Sequence, residues 1–498
     1  MPLLQKLTKP VIVDLVTLLA GALLTLAFAP YSLVFFALLP PAWLLLSWLN
    51  VSPSRGAWRG WLFGMGFFGT GVSWVYISIH TYGNTDAPLA ALFTLLFIGI
   101  LSLFYAVQGY ALARCFPRNN ATKLLLAFPA LGVACEWLRS TVLSGFPWLL
   151  LGNSHLNSPL QGYAPLVGVY GVTFISLWVV GITIYSLKTR RYLISLAALV
   201  LVATVGAVLT QVSWSTPKPN PLKISLLQGN IAQSLKWDPR QLFNTLKVYQ
   251  QLVESQLGQQ LIVLPEAAIP VALDAVEFYV EELATKVKRH HGALLVGVPI
   301  QDPANGQYYN ALVAYGEGSG TYHKRHLVPF GEYLPFDSLL RGLINFFDIP
   351  MSSFHPGAQL QANLRVGSFL VAPFICYEIA FPSLIYQALP EADLLLSISD
   401  DSWFGESNAP AQHLEIARMR ALETGRYLLF ATNNGITAVV GPKGQVLNQV
   451  SPFKVAVLTG EIPAMNGTTP IVAYGQIPVL TLIMLLFCVA LVRNRPSP

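Results

Sequence analysis

Three short stretches carry residue types able to break and remake an acyl bond. Residues 371–375 form an apolar, β-type run that ends in Cys376 and continues as Tyr377-Glu378. A thiol at the end of a buried strand is held rigidly with its sulfur facing a cleft, where an α/β sheet presents a nucleophile. Leu264-Pro265-Glu266 puts a carboxylate where another strand stops, and the loop from Tyr322 to Glu332 holds Lys324 and a second acid. Singly, each has an ordinary reading: a buried cysteine is usually a small inert hydrophobe, a strand-end glutamate is usually solvated, and a lysine in a basic cluster usually lies on the surface.

The region around these stretches, residues 213–467, alternates like an α/β domain. Strands are expected at 224–230, 260–266, 293–299, 308–315, 366–376, 394–399, 427–432 and 437–441, with helices at 240–256, 275–290 and 409–425. Several strands follow one another without a helix between them, which fits two sheets faced by helices better than one doubly wound sheet. With 17 lysines and arginines against 21 acids, the region has a net charge of −4. Cys376 is its one cysteine, so it holds no internal disulfide; a lone thiol in an oxidising compartment invites a functional explanation.

The rest of the chain is of another kind. Overall composition is 54% hydrophobic and 11% charged, far below the roughly 25% charge of ordinary soluble proteins. Apolar runs of about 20 residues, long enough to span a bilayer, are centred on 10–29, 31–49, 60–80, 88–113, 123–143, 165–187 and 192–212, and an eighth covers 470–492. With the N-terminus taken as cytoplasmic, twelve basic residues lie on the cytoplasmic side and Arg139 alone on the other, a positive-inside signal. The expected division is a seven-span part (1–212), an extracytoplasmic domain (213–467), and a last span with a cytoplasmic tail (468–498). Ala27-Phe28-Ala29 imitates a signal cleavage site, but Pro30 and another apolar run follow at once, so the first segment is read as retained. The positive charge, +6 over the chain, belongs to the spans and their loops, leaving no support for nucleic-acid binding. Cys115, Cys135 and Cys488 lie in or beside spans and read as packing. Glu136 and Arg139, three apart near a helix end, read either as an interfacial ion pair or as a lining for lipid headgroups.

In the order Glu–Lys–Cys, with these flanks, the three stretches resemble the carbon–nitrogen hydrolase (nitrilase) superfamily over about 223–462. The resemblance implies an α-β-β-α sandwich and a catalytic triad of Glu266, Lys324 and Cys376. The spans before and after look like one branch, the apolipoprotein N-acyltransferases. Gln228-Gly229-Asn230, Trp237, Phe330 to Pro335, Asp401 to Gly405 and Gly145 to Trp148 are also similar to that branch. The branch implies acyl transfer through a Cys376 thioester, from a phospholipid to the α-amino group of a diacylglyceryl-cysteine at the N-terminus of an apolipoprotein. Glu266 is then the general base, while Lys324 and the Tyr377 N–H face the developing oxyanion. Glu332 and Glu378 are expected to orient Lys324 and the thiol loop, or else to be ordinary structural acids. Trp237, Trp403 and the apolar Phe346-Phe347 are expected to wall the acyl chain, the last pair on an arm that touches lipid. No cofactor or metal is expected. The expected partners are the membrane and its lipids, the protein a monomer in a bacterial inner membrane with its catalytic side periplasmic. One rival uses the same residues, a membrane-anchored amidase with water as acceptor; a second, a transporter or scaffold whose domain only binds, would leave the triad unexplained.

Overall fold

The computed structural model describes residues 9–333 and 354–494. The chain divides into two compact units: Met1–Tyr76 with Ala87–Ser213 and Tyr474–Pro498, and Ile77–Asp86 with Trp214–Ala473.

In the first unit, four helices among the described residues are each long and apolar enough to cross a bilayer: Pro10–Ala27, Ala87–Cys115, Pro159–Thr189 and Tyr192–Leu209. The expected run at 60–80 is instead the pair Pro53–Gly71 and Val75–Tyr82, bent by 62° at a short break. The runs at 31–49 and 470–492 contain shorter apolar helices, Val34–Ser47 and Ile477–Arg493. The lead segment of the former is irregular and Pro40-Pro41 opens its helix proper, where the missing N–H groups are tolerated. Helix Tyr192–Leu209 is apolar all round, yet only Gly206 of it is buried, as expected of a helix whose solvent is hydrocarbon. Small residues permit close helix packing elsewhere: a Cβ at Gly60 would lie 2.1 Å from the Tyr105 carbonyl oxygen, and one at Gly66 2.0 Å from that of Leu18.

Glu136 and Arg139 share a helix, Phe128–Arg139, but do not pair with each other. Glu136 accepts the Leu151 N–H at 2.8 Å and the Thr173 hydroxyl at 2.8 Å. Arg139 donates to the carbonyls of Phe146 (2.7 Å) and Trp148 (2.6 Å). Both are buried and line a cavity with Tyr105, Gln108 and Leu177, which does not fit an exposed interfacial ion pair. Each charge instead satisfies backbone groups of the 146–151 loop that a low-dielectric setting would otherwise leave orphaned.

The second unit is a sandwich of two sheets. Apart from these, Ser215–Pro217 (β1) pairs with Met465–Gly467 (β15). One sheet has, in spatial order, Ala456–Ile462 (β14), Leu222–Gln228 (β2), Leu261–Val263 (β3), Ala293–Gln301 (β4), Tyr308–Gly316 (β5) and Thr321–His323 (β7). The other has Val446–Val450 (β13), Thr437–Val440 (β12), Leu428–Thr432 (β11), Leu394–Ser399 (β10), Phe369–Ile375 (β9), Leu364–Val366 (β8) and Gly318–Ser319 (β6). Side chains alternate with period two. Leu222, Ile224 and Leu226 of β2 and Leu394, Leu396 and Ile398 of β10 point into one core between the sheets. Leu227, Ile262 and Leu294 point outward, onto helices Leu242–Glu254 and Glu277–Arg289. Strands β2, β3 and β4 run parallel, as do β9, β10 and β11. Parallel neighbours need crossover connections, and helices Leu242–Glu254, Glu277–Arg289 and Ala409–Thr424 supply three of them. The carboxyl ends of these strands, where open α/β sheets place their ligands, carry the residues described next.

Candidate active site

Each key side chain emerges just beyond a strand. β3 ends at Val263, and Glu266 follows in a buried loop. Only glycine fits at Gly297 of β4, because a Cβ there would lie 2.1 Å from the Pro265 carbonyl oxygen. Lys324 is the first residue after β7, and its N–H donates to the Asn310 carbonyl of β5 at 2.8 Å. β9 ends at Ile375; Cys376 takes a left-handed φ of 54° and opens a tight helical turn to Ala380. A non-glycine residue there is uncommon and persists when its surroundings hold it.

Lys324 Nζ lies 3.1 Å from Glu266 Oε1 and 2.9 Å from Glu332 Oε2, with all three side chains almost sealed from solvent. The Asn310 amide donates to the same two carboxylates, at 2.7 and 2.9 Å. Glu266 Oε2 accepts the Asp400 N–H at 2.9 Å, and Glu332 Oε2 accepts that of Val328 at 2.9 Å. One ammonium between two buried carboxylates is thus tied down at every oxygen, the condition under which buried charge is tolerated. Burial alone would depress the Lys324 pKa, but Glu266 and Glu332, with a smaller contribution from Cys376, reverse this and hold it well above the usual lysine value. Lys236 braces the far side, donating to the Glu266 carbonyl at 3.1 Å and pairing with the Asp400 carboxylate.

Cys376 is partly exposed, yet its sulfur is poorly solvated. Burial first, then the charges of Glu266 and Asp401, push its thiol pKa well above the ordinary value; Lys324 and a hydrogen bond with Ser399 act the other way. The thiol is therefore protonated at neutral pH, beside a carboxylate that can receive its proton and a fixed cation facing any charge formed there. Among the described residues, no group of three or more His, Cys, Asp or Glu side chains is arranged to hold a metal ion.

Among the described residues Glu378 makes no hydrogen bond or ion pair with Lys324, though the lysine's charge reaches it. Its Oε1 accepts the N–H groups of Arg325 (2.6 Å) and His326 (3.1 Å), and its Oε2 accepts the Ile375 N–H (2.7 Å) and the Tyr322 hydroxyl (2.9 Å). It thereby fastens the segment after Lys324 to the strand end before Cys376. Tyr377 packs edge-on against Phe381. Trp237, next to Lys236, packs with Leu327, Tyr333 and Phe354. Trp403, two residues past Asp401, stands edge-on to Tyr82 at 6.0 Å, and its carbonyl accepts from Ser78 at 2.8 Å. Phe346 and Phe347 lie outside the described residues. The site also contains Asn310, Lys236, Asp400, Ser399, Asp401 and His413, which the sequence reading did not assign to it. Asp401 sat inside a quoted motif, but nothing in the spacing singled out the others.

Residues 223–470 match the carbon–nitrogen hydrolase family model, and residues 20–182 match that of the apolipoprotein N-acyltransferase N-terminal domain. The chain is 43% identical to an apolipoprotein N-acyltransferase of Coxiella burnetii over 95% of its own length and 98% of the relative's. It is 41% identical to that of Pseudomonas syringae pv. tomato over 97% of each. Among solved structures, Saccharomyces cerevisiae Nit3, of the nitrilase superfamily, aligns with 49% of this chain and 90% of its own at 19% identity, TM-score 0.37. With two family models in tandem and near-complete alignment at over 40% identity, the chain belongs to the apolipoprotein N-acyltransferase family.

Proposed function

We propose that the protein moves an acyl chain from a membrane phospholipid, through a thioester on Cys376, to the α-amino group of a diacylglyceryl-cysteine at the N-terminus of an apolipoprotein. The observation that carries the chemistry is the Lys324 ammonium held between Glu266 and Glu332, with the Cys376 thiol within electrostatic reach of Lys324 and Glu266. In the first half-reaction Glu266 takes the thiol proton as sulfur bonds to the ester carbonyl carbon. Lys324 and the Tyr377 N–H face the oxyanion, a kind of stabilisation worth about 3–4 kcal/mol per donor. The carbon–oxygen bond then breaks, and Glu266 returns the proton to the departing lysophospholipid. In the second, Glu266 takes a proton from the attacking amine, the carbon–sulfur bond breaks, and the thiol is restored as the amide forms. Trp237 and Trp403, on the loops beside Lys236 and Asp400, are proposed to contact the lipid substrates.

The lipid reading is favoured over an amidase by the apolar helices and by the N-terminal family match. Residues 1–212 and 468–498 are proposed to cross the membrane eight times, the shorter helices completed by flanking residues, with 213–467 periplasmic and the protein acting as a monomer. The test is to incubate the detergent-solubilised chain with phosphatidylethanolamine vesicles bearing labelled acyl chains and a diacylated lipopeptide. Label should enter the peptide as a hydroxylamine-stable amide, and Cys376→Ala should abolish it. Label released only as free fatty acid, with turnover of small amides, would favour the water-using amidase.

A further inference from the structure

The left-handed turn at Cys376 is held from beneath by a chain of buried polar groups that the mechanism above does not use. His413 lies in helix Ala409–Thr424 with no exposed surface. Its Nε2 is 3.2 Å from the Cys376 carbonyl oxygen, and its Nδ1 is 3.0 Å from Asp401 Oδ1. The same Asp401 oxygen accepts the Ser399 hydroxyl at 2.7 Å, and Ser399 is in turn hydrogen-bonded to the Cys376 thiol. Asp401 Oδ2 has no hydrogen-bond partner among the described residues, so the carboxylate works through Oδ1 alone. The groups close a ring: thiol, Ser399, Asp401, His413 and back to the carbonyl of the residue that bears the thiol. The ring spans two parallel strand ends, β9 and β10, and the helix that crosses from β10 to β11. Phe430 of β11 stands edge-on to the imidazole at 5.0 Å and fixes its plane.

The Cys376 carbonyl oxygen can only accept, so Nε2 donates to it, while Nδ1 faces Asp401 Oδ1. A ring anchored by Asp401 at one nitrogen holds the Cys376 main chain with the other. We propose that His413 and Asp401 are positioning residues for the nucleophile. Together they fix the Cys376 backbone in its left-handed turn, and Ser399 couples that anchor to the sulfur, setting the direction from which it meets the ester carbonyl. The effect is on the rate of sulfur attack, since neither residue is placed to touch lipid. Misplacement of a reacting atom by about 1 Å can cost on the order of 10²-fold in rate.

The inference rests on the thioester reading, so the experiment includes the unaltered protein. Rapid-quench intact-mass measurement follows acyl-enzyme formation on the full-length chain over a range of phosphatidylethanolamine concentrations in mixed micelles. If the unaltered chain forms no thioester, the functional reading itself fails. If it does, His413→Phe, which keeps a ring against Phe430 but removes both ring nitrogens, should form it about 100-fold more slowly, with the half-saturating lipid concentration unchanged. Asp401→Asn should lose a similar factor, the double variant little more than either single one, and His413→Gln should recover part of the loss. An unchanged acylation rate in folded His413→Phe, a loss confined to half-saturation, or fully multiplicative losses in the double variant would overturn the proposal. Should His413→Phe fail to fold, His413→Gln at an unchanged thermal midpoint decides: an unaltered acylation rate sinks it.

Discussion

The thiol, not a preformed thiolate, is the resting state of Cys376. A raised pKa means the proton is held below that value and released only as pH climbs beyond the usual thiol range. Burial and Glu266 both push in this direction. Glu266 therefore has two opposed effects: its charge disfavours the free thiolate, while its carboxylate is the proposed proton acceptor during attack. Glu266→Gln separates them. Iodoacetamide should alkylate Cys376 faster at a fixed alkaline pH, because the repelling charge is gone. Acylation by phospholipid should fall about 10²–10⁴-fold, because the base is gone. Slower alkylation, or undiminished acylation, would contradict the assignment. At this scale the cluster of Glu266, Lys324 and Cys376 was legible because all three residues stand at strand ends, where turn residues interrupt apolar runs. Asn310 inside β5 and His413 inside a helix were not, since a polar residue within a regular element looks the same whether it is solvated or committed to a buried network.

The elements meet at Glu378, which receives four donors from two separate segments on two oxygens. An amide in its place keeps one acceptor and sets an NH₂ group against two of those donors, leaving buried groups unsatisfied at a cost of about 2–4 kcal/mol. Glu378→Gln should lower the thermal midpoint by roughly 5–10 °C and slow thioester formation, by loosening the Lys324 segment from the Cys376 strand. A variant as stable and fast as the unaltered protein would show that the staple is dispensable. The central strands were readable from their apolar runs, and helices Leu242–Glu254 and Glu277–Arg289 from their periodicity. Strands β13 and β14 were not anticipated: β13 buries none of its five residues and β14 only Leu458 and Ile462 of seven, so little apolar alternation marks them. Helix Ala409–Thr424, expected at 409–425, ends one residue earlier because Gly425 takes the left-handed conformation that caps it. Its buried role was hidden, because Gln412, His413, Glu415, Arg420 and Glu423 are all buried on it, and no single polar face exists to read.

For the whole molecule, charge and hydropathy carry the topology. Apolar runs were plain in the sequence, but run length overstated helix continuity. Prolines and breaks divide some runs, so four of the eight contain a helix that reaches spanning length by itself. The proposed orientation puts Asn305 outside the cytoplasm and Arg190 inside; both are exposed. In a Cys115→Ser/Cys376→Ala/Cys488→Ser background, Asn305→Cys should react with a membrane-impermeant maleimide on intact spheroplasts, and Arg190→Cys only after lysis. The reverse pattern would invert the topology.

The central claim is that the acyl chain passes through Cys376, and it is tested most directly by intact mass after incubation with phospholipid alone. The expected result is a gain of one acyl chain, removed by hydroxylamine, absent from Cys376→Ala and discharged on addition of a diacylated lipopeptide. A chain that transfers acyl groups to the lipopeptide without ever gaining that mass, or that gains it in Cys376→Ala, would contradict the account.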